Sequence, residues 1–178
     1  MGLRWGAAVG VRVADRGGFS GTVLDVGCGS GENALHLASL GLPVFGVDVA
    51  ETALALAREK AAERGFEAEF ALADALHLER LGRRFDTVLD CALFHTFDKQ
   101  ERSDYVASLA SVIETDGILY VLCFSDEGPD TGPHPVSQED LKTAFTGWNI
   151  LSIAPERLST RFHDPNGAPA WLATINRA

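Results

Sequence analysis

The chain has 178 residues, 46% of them hydrophobic and 22% charged, with 25 acidic against 15 basic side chains and a net charge of −10. Those figures describe one globular domain with a full core, and the acidic balance argues against a nucleic-acid partner, whose phosphates need clustered Lys and Arg. Arg80, Arg83 and Arg84 form no such cluster and read as a solvated helix end, no apolar run has the length of a membrane span, and Met1 to Ser20 lacks a signal peptide's apolar centre.

Residues 1–21 leave room for one helix, about Ala7 to Asp15, and read as a short leader to a domain over residues 22–178. Thr22 to Val26 is a buried-strand pattern that runs into Gly27-Cys28-Gly29-Ser30-Gly31, and a helix follows from Glu32 to about Leu40. Glycines at alternate positions allow a tight turn and let a ligand approach the backbone without a Cβ in the way. Val44 to Asp48 is a second strand that ends on a carboxylate, an acceptor-only group able to take both hydroxyl protons of a ribose. Asp48 could also cap the next helix, Glu51 to Arg64, whose Ala53, Leu54, Leu56 and Ala57 share one face and which Gly65 stops.

Glu69 to Ala75 reads as a third strand with an acidic turn, where Asp74 either faces a ligand or starts a short helix over Ala75 to Leu81. Phe85 to Cys91 is a fourth strand, and the loop Leu93-Phe94-His95-Thr96-Phe97 leaves it. Asp98 to Val112 has Tyr105, Val106, Leu109 and Val112 at helical spacing, Thr115-Asp116-Gly117 reads as a turn, and Ile118 to Phe124 is apolar throughout, as a strand covered on both faces should be. After the turn-rich Gly128 to Pro135, Ser137 caps a short helix to Phe145, and Trp148 to Ala154 and Ala170 to Asn176 are the last two strands. Alternating strands and helices predict a single doubly wound α/β domain with a mostly parallel sheet. Cys28, Cys91 and Cys123 are odd in number and lack paired spacing, which predicts small apolar fillers in a reducing cytoplasm and no metal site.

A dinucleotide fingerprint sets its third glycine one residue later than here, and a pyrophosphate gains nothing from Asp25, Glu32 and Asp48. An NAD-dependent oxidoreductase is disfavoured on that spacing. Acidic company suits a ligand bearing an ammonium and a sulfonium. In Val23-Leu24-Asp25-Val26-Gly27-Cys28-Gly29-Ser30-Gly31, in Asp48, in Glu69 to Ala75, in Phe85 to Cys91 and in Asp116 to Val121 the chain resembles the class I S-adenosylmethionine-dependent methyltransferases. It is most similar to their small-molecule branch, of the thiopurine and tellurite-resistance type.

The resemblance implies a Rossmann-like fold: a seven-stranded, mostly parallel sheet with helices on both faces and an antiparallel last strand inserted between the fifth and sixth. It implies S-adenosylmethionine as cofactor and S-adenosylhomocysteine as product. Asp25 would orient the methionine ammonium, Gly27, Cys28 and Gly29 would form the cradle, and Asp48 with Val49 would hold the ribose. Asp74 would accept from the adenine amino group while the Ala75 amide donates to the ring, and the backbone at Asp90 and Cys91 would meet the methionine amine. Residues 1–21 would be the remnant of a longer leader that closes over the cofactor in relatives.

The implied reaction moves a methyl group to a small-molecule nucleophile (thiol, hydroxyl or ring nitrogen) by in-line displacement, for which alignment and water exclusion matter more than a base. His95, between Phe94 and Phe97, is either that base or acceptor-loop residue, or a histidine bonded to backbone. His134 and His163 lie in loops that could line the acceptor pocket, while His36 and His77 look incidental. Phe94, Phe97, Phe124, Phe162 and Trp5 could form an apolar acceptor wall or belong to the core. The other class of function compatible with these residues is a non-catalytic module that binds S-adenosylmethionine or S-adenosylhomocysteine and acts through a partner.

Overall fold

In the computed structural model the described residues are 12–14, 16–128, 134–159 and 166–178. In chain order the elements are β1 (Val23–Val26), α1 (Glu32–Ser39), β2 (Val44–Asp48), α2 (Glu51–Arg64), β3 (Glu69–Leu72), a 3-10 helix (Ala75–Leu81), β4 (Phe85–Cys91), a 3-10 turn (Phe94–Thr96), α3 (Lys99–Val112), β5 (Ile113–Phe124), α4 (Gln138–Ala144), β6 (Asn149–Leu158) and β7 (Ala168–Asn176). Of the helix expected over residues 7–15, residues 12–14 are helical and the rest lie outside the described residues, as do Trp5, Phe162 and His163.

The strands form one seven-stranded sheet in the order β3-β2-β1-β4-β5-β7-β6, with β7 antiparallel to both its neighbours and the other pairs parallel. This is the inserted antiparallel strand that the resemblance implied. Successive side chains of a strand face opposite ways, and the core divides accordingly. Leu24, Val26, Val88, Leu119 and Val121 pack with Tyr105, Leu109 and Val112 of α3 and with Leu141 of α4, whereas Val23, Leu89 and Tyr120 pack with Ala34 and Leu37 of α1. A sheet covered on both faces explains why β1, β4 and β5 are so continuously apolar.

Helix starts follow their local chemistry. Asp98 accepts from the amides of Gln100 and Glu101 at 2.8 and 2.9 Å while Glu101 accepts from the Asp98 amide at 2.9 Å, and Ser137 and Asp140 form the same reciprocal pair ahead of α4. The expected turn at 115–117 lies instead inside β5, which starts directly after α3. Ile113 pairs with Phe85, the register with β4 then shifts, and Asp116 takes a left-handed φ of 63°. The Asp116 amide donates to the Arg177 carbonyl at 2.9 Å and the Arg177 amide to the Gly117 carbonyl at 3.0 Å, so the kinked residues are held by the far end of the chain. Both late strands are also longer than their apolar runs, and Pro155 is accommodated because β6 is an edge strand.

Candidate active site

Chain order reverses between β1 and β4, and in open α/β sheets the crevice outside the carboxyl ends at that point binds ligands. Every candidate binding residue lies along this edge, near the carboxyl ends of β1, β2 and β4 or in the segments that leave β1, β2, β3 and β4.

The glycine turn after β1 is anchored below by the Gly27 and Cys28 amides, which donate to the Val47 carbonyl at 2.8 and 2.9 Å. Gly27, Gly29 and Gly31 have φ of 70°, 53° and 80°, yet they serve different ends. A Cβ on Gly29 would meet nothing within 4 Å, which leaves the open approach a ligand needs, whereas a Cβ on Gly31 would come within 2.8 Å of Ala57 Cβ and 3.1 Å of the Phe70 ring. Lys60 Nζ clamps the back of the turn, donating to Ser30 O and Oγ at 3.0 and 2.8 Å. Glu32, counted among the ligand's acidic company, is neutralised by Lys60 at 2.8 Å and Arg64 at 3.0 Å and belongs to this clamp.

Asp48 links strand end and turn: Oδ2 accepts from the Gly29 amide at 2.8 Å and Oδ1 from the Ala50 amide at 2.9 Å. It does not cap α2, whose N-cap is Ala50. Each oxygen keeps a further lone pair. Beyond it an open cleft of about 380 Å³ is lined by Val49, Leu72, Ala73, Asp74, His77, Arg80 and Leu81. Val49 and Leu72 are 70% and 60% exposed, an unusual state for two neighbouring aliphatic side chains and one suited to a flat apolar ring between them. Asp74 does start the 3-10 helix, its Oδ1 accepting from the Leu76 amide at 2.9 Å, with Oδ2 left to accept from elsewhere. Leu72 and His77 were not singled out from sequence as site residues; the signal for both was adjacency to the acidic turn.

Asp25 is fully buried beneath the turn, and its Oδ2 has no hydrogen-bond partner. Burial pushes its carboxyl up to about 7, the Ala34 amide draws it down, and the charges of Asp90 and Asp48 push it up again. An orphaned buried carboxylate is costly unless a donor or cation completes it, which is what a ligand's ammonium would do. The folded-state value stands above the unfolded one, so this group's contribution to stability is full below about pH 4 and is lost as pH rises through about 7. Asp25→Asn, with no charge at any pH, is therefore expected to melt higher than wild type at pH 8, by on the order of 1–3 kcal/mol. That advantage should shrink as pH falls and all but vanish below about pH 4, while affinity for a cationic ligand falls. Thermal unfolding at the two pH values is the check, and an equal difference at both would refute it.

At the end of β4, Asp90 is completely buried and its side chain turns from the crevice: Oδ1 accepts from the amides of Leu93 and Phe94 at 2.9 and 3.2 Å and Oδ2 from the Tyr105 hydroxyl at 2.9 Å. Only backbone of Asp90 and Cys91 is left to meet a ligand there. Burial pushes the Cys91 thiol up to about 12, so it stays protonated.

His95 is buried, with Nδ1 accepting from the Phe124 amide at 3.2 Å and its ring 4.4 Å from that of Phe124. Burial, helped by the Arg102 charge, pushes it down to about 4. A neutral imidazole whose Nδ1 accepts carries its proton on Nε2, so it offers a donor and no free lone pair. Phe94 is core, stacked 5.8 Å from Phe145, and Phe97 lies 4.9 Å from Tyr105. His134 is exposed, and its carbonyl accepts from Arg102 at 2.9 Å.

Residues 23–117 match a family described as a methyltransferase domain. A 2-heptyl-1-hydroxyquinolin-4(1H)-one methyltransferase of Mycobacteroides abscessus is 36% identical over 153 residues, spanning 83% of this chain and 67% of that protein. Among solved structures, one concerned with the conversion of a disulfide bond into a thioacetal group during echinomycin biosynthesis has a TM-score of 0.85 at 35% identity, over 96% of this chain and 82% of that one. Magnesium protoporphyrin IX methyltransferase from Synechocystis PCC 6803, with bound SAM, has a TM-score of 0.73 at 26% identity, over 97% and 78%.

Proposed function

Since the chain belongs to the methyltransferase domain family and is an S-adenosylmethionine-dependent methyltransferase, we propose that its acceptor is a small molecule whose nucleophile is at least partly ionised near neutral pH, a thiol or an acidic hydroxyl. Family membership sets aside the non-catalytic binding module. The observation that carries the acceptor proposal is His95: its one lone pair is committed to the Phe124 amide, which removes this residue as the base that an ordinary alcohol needs. A thiol, with a pKa of ~8.5, needs none. The names of the relatives agree, one acting on a hydroxyquinolone and one described by sulfur chemistry. Placement in the thiopurine and tellurite-resistance branch is part of the same proposal, as a class of soft nucleophiles.

The cofactor supplies an electrophilic methyl group on a sulfonium; the protein's residues bind, align and dry the site. Asp48 takes the ribose hydroxyls, Val49 and Leu72 enclose the adenine, Asp74 Oδ2 accepts from its amino group and the Ala75 amide donates to its ring. Gly27, Cys28 and Gly29 let the methionine end lie against backbone, and it meets Asp25 Oδ2 and the carbonyls at Asp90 and Cys91. Of the alternatives open to His95, base, acceptor-loop residue or backbone-bonded histidine, it serves as a backbone-bonded N–H donor of the acceptor loop rather than as a base.

The test is methyl transfer by the purified protein to a panel of aryl thiols, N-hydroxyquinolones and aliphatic alcohols. Thiols and N-hydroxyquinolones should be methylated, with kcat/KM rising up to the acceptor's own pKa, and His95→Gln should retain activity within about tenfold. General-base loss would cost ~10²–10⁴, so a drop of that size, or turnover of alcohols alone, would sink the proposal.

A further inference from the structure

The segment leaving β4 carries support that ligand contacts do not explain. Ala92 has a left-handed φ of 72°, and its amide donates to the Leu122 carbonyl at 2.8 Å. A non-glycine residue held there costs ~1–2 kcal/mol and persists only where its surroundings enforce it. The enforcement is Asp90, whose Oδ1 takes the Leu93 and Phe94 amides and whose Oδ2 takes the Tyr105 hydroxyl, with the Asp90 and Tyr105 side chains out of contact with water. Leu93, fixed by the same knot, overlies the glycine turn: a Cβ on Gly27 would lie 3.2 Å from Leu93 Cδ2. Packing alone at position 105 would be met by phenylalanine, so the hydroxyl has another task.

We propose that Tyr105 is a positioning residue for methyl transfer: through Asp90 its hydroxyl fixes the strained backbone over residues 91–94, and with it the carbonyls that meet the methionine end of the cofactor and the loop that presents the acceptor. This rests on the cofactor placement given above. Among the described residues no cation pairs with Asp90. The titratable groups around it are Tyr105 from α3, Asp25 from β1, Cys123 from β5 and Cys91 from its own strand, with Arg102 of α3 acting on Cys123 and His95. Burial pushes Asp90 up to about 6, and the Leu93 amide, the Tyr105 hydroxyl and the Phe94 amide oppose that rise. Loss of the hydroxyl therefore raises Asp90 towards neutrality and loosens the knot as it protonates.

The experiment is calorimetric titration of Tyr105→Phe with S-adenosylhomocysteine and with 5′-methylthioadenosine, which has the adenosine but no amino-acid end, at several pH values. The expected result is an S-adenosylhomocysteine affinity about tenfold weaker at neutral pH, as one lost charge-assisted hydrogen bond implies. The deficit should widen in acid and narrow in alkali, and 5′-methylthioadenosine affinity should hold within about twofold. Tyr120→Phe loses a hydroxyl bond to the Gly18 carbonyl (2.6 Å) and should leave the ratio of the two affinities at the wild-type value. Asp90→Asn, should the first variant melt too low, is expected to give the same selective loss without its pH dependence. A wild-type ratio in Tyr105→Phe at every pH, whether both affinities hold or both fall, overturns the role of Tyr105. Wild-type protein that binds neither ligand overturns the cofactor placement as well, and the two failures are thereby distinct.

Discussion

Asp48→Ala is expected to weaken S-adenosylhomocysteine binding by at least about 100-fold while leaving the far-UV spectrum unchanged. Hydrogen bonds to a charged group contribute ~1.5–3 kcal/mol each, and two ribose hydroxyls would lose such an acceptor; at ~1.4 kcal/mol per factor of ten, the combined loss spans roughly two to four decades. The same carboxylate also joins the Gly29 amide to the Ala50 amide, so its removal loosens the turn at Gly29 while the Gly27 and Cys28 amides still hold to Val47. Both effects act in one direction. Calorimetric titration beside wild type measures the sum, and a loss below about tenfold would mean that the ribose lies elsewhere.

The second large effect concerns stability. Gly31→Ala should lower the melting temperature by roughly 4–20 °C, from ~1–2 kcal/mol of left-handed strain and ~1–3 kcal/mol of overpacking, at ~2–4 °C per kcal/mol for a chain of this size. The clash is with Ala57 Cβ at 2.8 Å, a short side chain on α2 that cannot swing aside. Gly29→Ala supplies the contrast. It adds its methyl to open space, so only the strain term remains, about 1–2 kcal/mol, but that methyl occupies the ligand's approach and should cost more affinity than stability. Melting curves with and without S-adenosylhomocysteine would separate the two glycines; equal destabilisation by both would refute the division of labour.

The parallel part of the sheet was legible because β1, β4 and β5 are apolar runs buried on both faces, and β1, β2 and β4 end at or beside glycine or aspartate, both local signals. Asp48 and Asp74 were legible as strand-end acids for the same reason. What escaped depends on partners distant in sequence. The Asp90 side chain is spoken for by Tyr105, 15 residues on, and the His95 lone pair by the Phe124 amide, 29 residues on. The early start of β5 is fixed by Arg177 across the sheet, and no pattern within 113–117 could announce it. Glu32 looked like part of an acidic site only until Lys60 and Arg64, a helix away, were seen to neutralise it.

The insertion of β7 between β5 and β6 has a consequence for synthesis. As the chain emerges from the ribosome, β1 to β5 can assemble in sequence, each strand finding a neighbour already made. β6 finds none: among the described residues its partner strand is β7, which comes out after it. Until β7 arrives, β5 presents a bare edge of backbone amides and carbonyls, the kind of surface on which nascent chains pair wrongly. During synthesis, then, the sheet can close only once its last strand, whose pairings all reach backwards, has emerged, and until then that open edge is where wrong pairing has its opportunity.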